Sequence, residues 1–62
     1  MKLIGKLVGR EEPKQDNAQI YQSENGEILL IWAWGSERIF ATKEEFQVWL
    51  KETNFISEVI FY

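Results

Sequence analysis

The sequence predicts an α+β domain: a small antiparallel β-meander of order β-β-β-β-α-β, with one amphipathic helix on one face. Three observations point to it. An Asn25-Gly26 pair separates two apolar runs, a helix-start signature at Thr42–Glu45 precedes apolar residues at helical spacing, and a last run, Phe55 to Tyr62, alternates with period two. The 62 residues, 45% hydrophobic and 15% aromatic, allow a single domain, 1–62, around one core. A chain of this size buries only roughly 60% of its unfolded surface.

The opening stretch, Lys2 to Arg10, reads better as a strand than as a helix. A helix would gather Leu3, Ile4, Leu7 and Val8 on one stripe, but its two interior glycines would cost about 1 kcal/mol each relative to alanine. In a strand, Gly5 and Gly9 mark a bend or the close approach of another element. Glu11 to Asn17 is polar, holds the only proline and reads as a loop. Ala18 to Ser23 then alternates up to Asn25-Gly26, whose tolerance of positive φ suits a two-residue type I′ hairpin loop. That loop would set Ser23 opposite Ile28, Tyr21 opposite Leu30, Ile20 opposite Ile31 and Gln19 opposite Trp32. Ile28 to Trp34 is apolar on both faces, as in a central strand covered twice. Gly35-Ser36-Glu37 turns the chain into a further strand, Arg38 to Ala41.

Thr42-Lys-Glu-Glu45 forms a capping box, the threonine hydroxyl accepting from the Glu45 amide and the Glu45 carboxylate reaching back to the Thr42 amide. Phe46, Trp49, Leu50 and Thr53 follow on one stripe, and Asn54 is a natural stop. The last strand places Phe55, Val59 and Phe61 on one side and Ile56, Ile60 and Tyr62 on the other.

In this register one face of the meander carries Ala18, Ile20, Leu29, Ile31, Ala33 and Phe40, suited to receive the helix. The other carries Tyr21, Ile28, Leu30, Trp32, Trp34 and Ile39. A single helix covers one face, so the second is either hidden by the sheet curling toward a barrel, with Gly5, Gly9 and Gly35 as corners, or left open for a partner.

Composition excludes most chemistry. With neither cysteine nor histidine, the chain has no disulfide, no thiolate nucleophile, no imidazole base and no zinc–sulfur site. The carboxylate pairs Glu11/Glu12, Glu24/Glu27 and Glu44/Glu45 already have capping or solubility roles, and no calcium-loop or phosphate-loop spacing is present. The expectation is a protein that is not an enzyme and uses no cofactor, metal or small-molecule substrate. The longest apolar run, Ile28 to Trp34, spans seven residues, against the roughly 20 of a membrane-spanning helix. A cytoplasmic location, with no membrane partner, is therefore expected.

Charge separates the remaining readings. The net of −3 and pI near 4.8 hide an asymmetry, +2 over residues 1–14 and −5 over the rest. The leading expectation is an acidic, non-catalytic protein-binding module, a small inhibitor or regulator that also associates with itself as a homodimer. Tyr21, Trp32 and Trp34 would be its anchors, with Glu37 and Arg38 at the rim. The alternative is a nucleic-acid binder using Lys2, Lys6 and Arg10 on one face of the first strand, with Trp32 and Trp34 stacking on bases. Three strands leading through Phe40-Ala-Thr-Lys-Glu-Glu-Phe-Gln-Val-Trp-Leu50 into a helix are similar to the arm-site-binding domains of phage and transposon integrases. That resemblance implies a sheet set in a DNA groove, yet the strands here offer Glu24, Glu27 and Glu37 with only Arg38.

Overall fold

A computed structural model describes residues 1–9, 15–53 and 56–62, and the side chains of all of these except 56 and 57. Five strands and one helix follow in the order β1 (Lys2–Gly9), β2 (Asp16–Gln22), β3 (Ile28–Trp32), β4 (Glu37–Phe40), α1 (Lys43–Glu52) and β5 (Ile56–Phe61). All pairings are antiparallel, and the sheet order is β4-β3-β2-β1-β5. The expected α+β meander is therefore present. It does not close into a barrel, because β4 and β5 stay at opposite edges. Among the described residues no helix is long and apolar enough to cross a membrane.

The hairpin loops decide how the strands face. Ser23 and Glu27 pair through the Ser23 amide and the Glu27 carbonyl at 3.0 Å, and the Gly26 amide donates to the Ser23 carbonyl at 3.1 Å. The loop is thus three residues long, Glu24-Asn25-Gly26. Only Gly26 has positive φ, at +88°, whereas a type I′ loop requires it at both central residues. Ala33-Trp34-Gly35 repeats the arrangement. The Trp32 amide donates to the Ser36 carbonyl at 2.8 Å, the Gly35 amide to the Trp32 carbonyl at 2.9 Å, and Gly35 lies at φ +96°.

The extra loop residue corrects the expected register by one. Tyr21 pairs with Leu29, Ile20 with Leu30, Gln19 with Ile31 and Ala18 with Trp32. A one-residue slip turns every side chain of a strand to the other face. Ile28, Leu30 and Trp32 consequently lie under the helix, while Leu29 and Ile31 face away. The buried cluster is Leu7, Ala18, Ile20, Ile28, Leu30, Trp32, Phe40 and Phe46, with Ile4, Trp49, Leu50 and Val59 packed against it. Since β3 ends at Trp32, β4 starts at Glu37 and β2 starts at Asp16, these bounds differ from the expected ones by one or two residues.

The helix begins at Thr42, whose hydroxyl accepts from the Glu45 amide at 3.2 Å. The Glu45 carboxylate reaches one residue further back than the capping box requires, accepting from the Ala41 amide at 3.1 Å. At the other end Thr53 is the cap, its hydroxyl donating to the Trp49 carbonyl at 2.7 Å. Asn54 and Phe55 lie outside the described residues, as do Arg10 and most of the expected loop. On β5, Val59 packs toward the core.

The glycines of β1 mark close approaches. A Cβ on Gly5 would collide with the Ile60 carbonyl oxygen of β5 and meet the Phe61 Cα at 3.2 Å, while one on Gly9 would meet the Asn17 carboxamide at 2.6 Å. A bulge between Leu3 and Gly5 makes Ile4 the extra residue, and Ile4 packs against the core where Gly5 cannot. Gly5→Ala should therefore loosen β5 and destabilise the fold by about 1–3 kcal/mol, read from urea unfolding. The β5 amides should lose hydrogen-exchange protection before those of β2 and β3.

Candidate interaction surface

The helix side of the sheet holds an aromatic column. Trp32, 8% exposed, stacks on Trp34 with ring centroids 4.9 Å apart and planes 15° from parallel. It meets Trp49 edge-on at 5.9 Å. Trp49 in turn lies 5.5 Å from Phe40 and 6.1 Å from Phe46. The Arg38 guanidinium sits over the rings of Phe40 at 5.0 Å and Trp49 at 5.5 Å, so its stem and charge lid the outer side of the column. Trp34, on the β3–β4 loop, remains 63% exposed.

The five residues expected to form one binding surface are thus divided between two. Trp32, Trp34 and Arg38 belong to the helix side, and Trp32 there is core. Tyr21 and Glu37 stand on the opposite face, since they pair with Leu29 and Ile31.

That opposite face has no element of the described chain packed on it. Its first row runs across four strands in register: Ile39, Leu29, Tyr21 and Leu3. Tyr62 continues it, its amide donating to the Ile4 carbonyl at 2.9 Å. The next row is Glu37, Ile31, Gln19, Lys6 and Ile60. Ile39 is 63% exposed, Tyr62 69% and Leu3 39%. Leu29, Ile31 and Tyr21 are half-buried.

Polar groups on this face are few and mostly neutralised. Lys6 pairs with Asp16 at 3.2 Å, a partly exposed ion pair worth about 0–1 kcal/mol. Gln19 holds the centre of the second row, and its Oε1 is buried with no hydrogen-bond partner among the described residues. Leaving such an acceptor unsatisfied costs about 1–3 kcal/mol. Beside it is a shallow depression of about 140 Å³ lined by Asp16, Ala18, Gln19, Ile31, Trp32 and Ala33.

The expected basic row is interrupted. The bulge at Ile4 turns Lys2 to the helix side, opposite Gln22, while Lys6 lies on the open face opposite Gln19. Arg10 lies outside the described residues. Among the described residues no three carboxylates gather as a metal site.

Sequence reasoning missed Leu3, Gln19, Leu29 and Ile31 as surface candidates. The available signal was Gly26 read as the third residue of a three-residue loop, which places Ile28, Leu30 and Trp32 together on the inner side. No family model, curated protein or solved structure matches this chain.

The two stacked tryptophans should respond differently to truncation. Trp32→Ala should cost about 3–5 kcal/mol, enough to unfold much of a domain with 5–15 kcal/mol of stability. Trp34→Ala should cost only about 1 kcal/mol, the value of the lost stack. Urea titrations followed by circular dichroism will separate them.

Proposed function

We propose that this chain is a non-catalytic protein-interaction module whose binding surface is the open sheet face centred on Tyr21, Leu29 and Ile31. The observation that carries this reading is the registered row Ile39–Leu29–Tyr21–Leu3, apolar across four strands, with no other element packed on it among the described residues. Soluble proteins rarely leave so continuous an apolar surface to water, and such patches mark interaction sites. Glu37 at one edge and the Lys6–Asp16 pair nearer the other provide a polar rim. A small acidic protein of this design acts as a regulator or inhibitor by occupying a complementary face on its partner.

The nucleic-acid reading receives less support. A sheet set in a DNA groove would direct this open face at the phosphates, yet its one described lysine is paired with Asp16. Its other side chains are mainly aliphatic or aromatic.

The test is co-purification with the intact chain as bait. Ile39→Lys, at an exposed site, should leave the circular-dichroism spectrum unchanged and weaken partner binding at least tenfold, about 1.4 kcal/mol. Trp34→Ala should leave binding intact. The reverse pattern would assign binding to the helix-side aromatics and sink the proposal, and complexes that dissolve steeply with rising salt would favour nucleic acid.

A further inference from the structure

The β2–β3 loop holds a reactive pair of residues in an unreactive shape. Asn25 is the one asparagine followed by glycine, since Asn17 precedes Ala18 and Asn54 precedes Phe55. A following residue without a Cβ leaves its amide nitrogen unhindered, so that nitrogen can reach the asparagine side-chain carbonyl carbon. When the Gly26 amide loses its proton and attacks the Asn25 Cγ, a new N–C bond forms and the carboxamide nitrogen departs as ammonia. Water then opens the five-membered imide at either carbonyl, giving aspartate or isoaspartate. The balance is one water consumed and one ammonia released, with no oxidation or reduction.

In the folded chain the attacking nitrogen is occupied. The Gly26 amide donates to the Ser23 carbonyl at 3.1 Å, and Glu24 and Asn25 have negative φ, as does every described non-glycine residue. These are the marks of a type I turn, which holds its third residue at about φ −90° and ψ 0°. Closing the imide needs the Asn25 Cβ and the Gly26 nitrogen eclipsed about the Cα–C bond, whereas ψ near 0° keeps them roughly a third of a turn apart. The loop is also pinned at its stem. The Ser23 amide donates to the Glu27 carbonyl at 3.0 Å, and the Glu27 amide donates to the Ser23 hydroxyl at 3.1 Å. Asn25 itself is exposed, so water reaches it.

We propose that Asn25 is a self-modification site of this protein, deamidating through Gly26 only when the loop opens, and that its isoaspartyl product weakens the hairpin. Isoaspartate routes the backbone through the former side chain and adds one methylene to a loop whose length sets the register of β3. The bond from the Gly26 amide to the Ser23 carbonyl then has to close a larger ring. The product also carries a new carboxylate between Glu24 and Glu27, which places three acids within four consecutive positions. Transient opening of the hairpin is thereby converted into a lasting loss of stability, independently of what the open face binds.

The test follows the intact chain by peptide mapping in mildly alkaline buffer, with and without denaturing guanidinium chloride. In denaturant Asn25 should convert before Asn17. In the native state its conversion should be roughly tenfold slower or more, because reaction there waits on local opening. Ser23→Ala, which deprives the Glu27 amide of its acceptor, should speed native-state conversion and leave the rate in denaturant unchanged. Asn25→Gln should keep the circular-dichroism spectrum and resist conversion in both conditions. The isoaspartyl chain, once separated, should unfold at a lower urea concentration than the unmodified chain. Equal rates in native and denaturing buffer, Asn17 converting before Asn25 in denaturant, or a Ser23→Ala chain no faster than the parent overturns the guarded site. An isoaspartyl chain with an unchanged unfolding midpoint overturns the structural consequence.

Discussion

Gly26, at φ +88°, governs the rest of the structure through the parity of one strand. Side chains alternate across a sheet with a period of two, so the number of residues in a hairpin loop decides which set of a strand's residues is inside. With three loop residues, Ile28, Leu30 and Trp32 enter the core. With two, Leu29 and Ile31 would enter and Trp32 would lie in water. Nearly equal numbers of apolar side chains occupy both sides of β3, so hydrophobicity discriminates weakly between the registers and the backbone geometry at the loop has the deciding role. Gly35 repeats the device at the next connection. Together the two loops position Trp32, Phe40 and Arg38 where Trp49 can reach them.

The resulting molecule has two unequal faces. Aromatic mass is concentrated under α1, where Trp32, Phe40, Phe46 and Trp49 contact one another at ring distances of 5.4 to 6.1 Å. Aromatic side chains bury 150–250 Å² each, which suits a domain too small to build a deep aliphatic core. The other face retains aliphatic and tyrosine side chains in a shallow layer. The ring-filled side supports the sheet, and among the described residues nothing packs on the thinner side.

Much of this architecture was legible in the residues. Thr42 and Glu45 marked the helix start, Phe46, Trp49 and Leu50 its inner stripe, and Gly5 and Gly9 the close approaches along β1. The candidate surface was less legible because it depended on loop length. Asn25-Gly26 is as compatible with the last two residues of a three-residue loop as with a two-residue one, and the choice exchanged Leu29 and Ile31 for Leu30 and Trp32. The bulge at Ile4 was equally hidden, since nothing in Lys2-Leu-Ile-Gly-Lys6 distinguishes an extra residue from a regular step. It is visible only once Tyr21 and Ile20 have found their partners, and it separates Lys2 from Lys6.

The placement of β5 beside β1 has a consequence for how the chain comes to be folded. During synthesis β1 emerges first and can pair with β2 on one side, but its other edge has no neighbour until β5 emerges. Four strands therefore exist for a time with the Gly5 edge exposed, and the addition of β5 is a long-range event that brings Phe61 to Gly5. A glycine at that edge offers no side chain to a wrong neighbour and admits the right one at close range. The same residue that permits the final pairing thus leaves the nascent chain with a bare strand edge, open to pairing between copies before the last strand arrives.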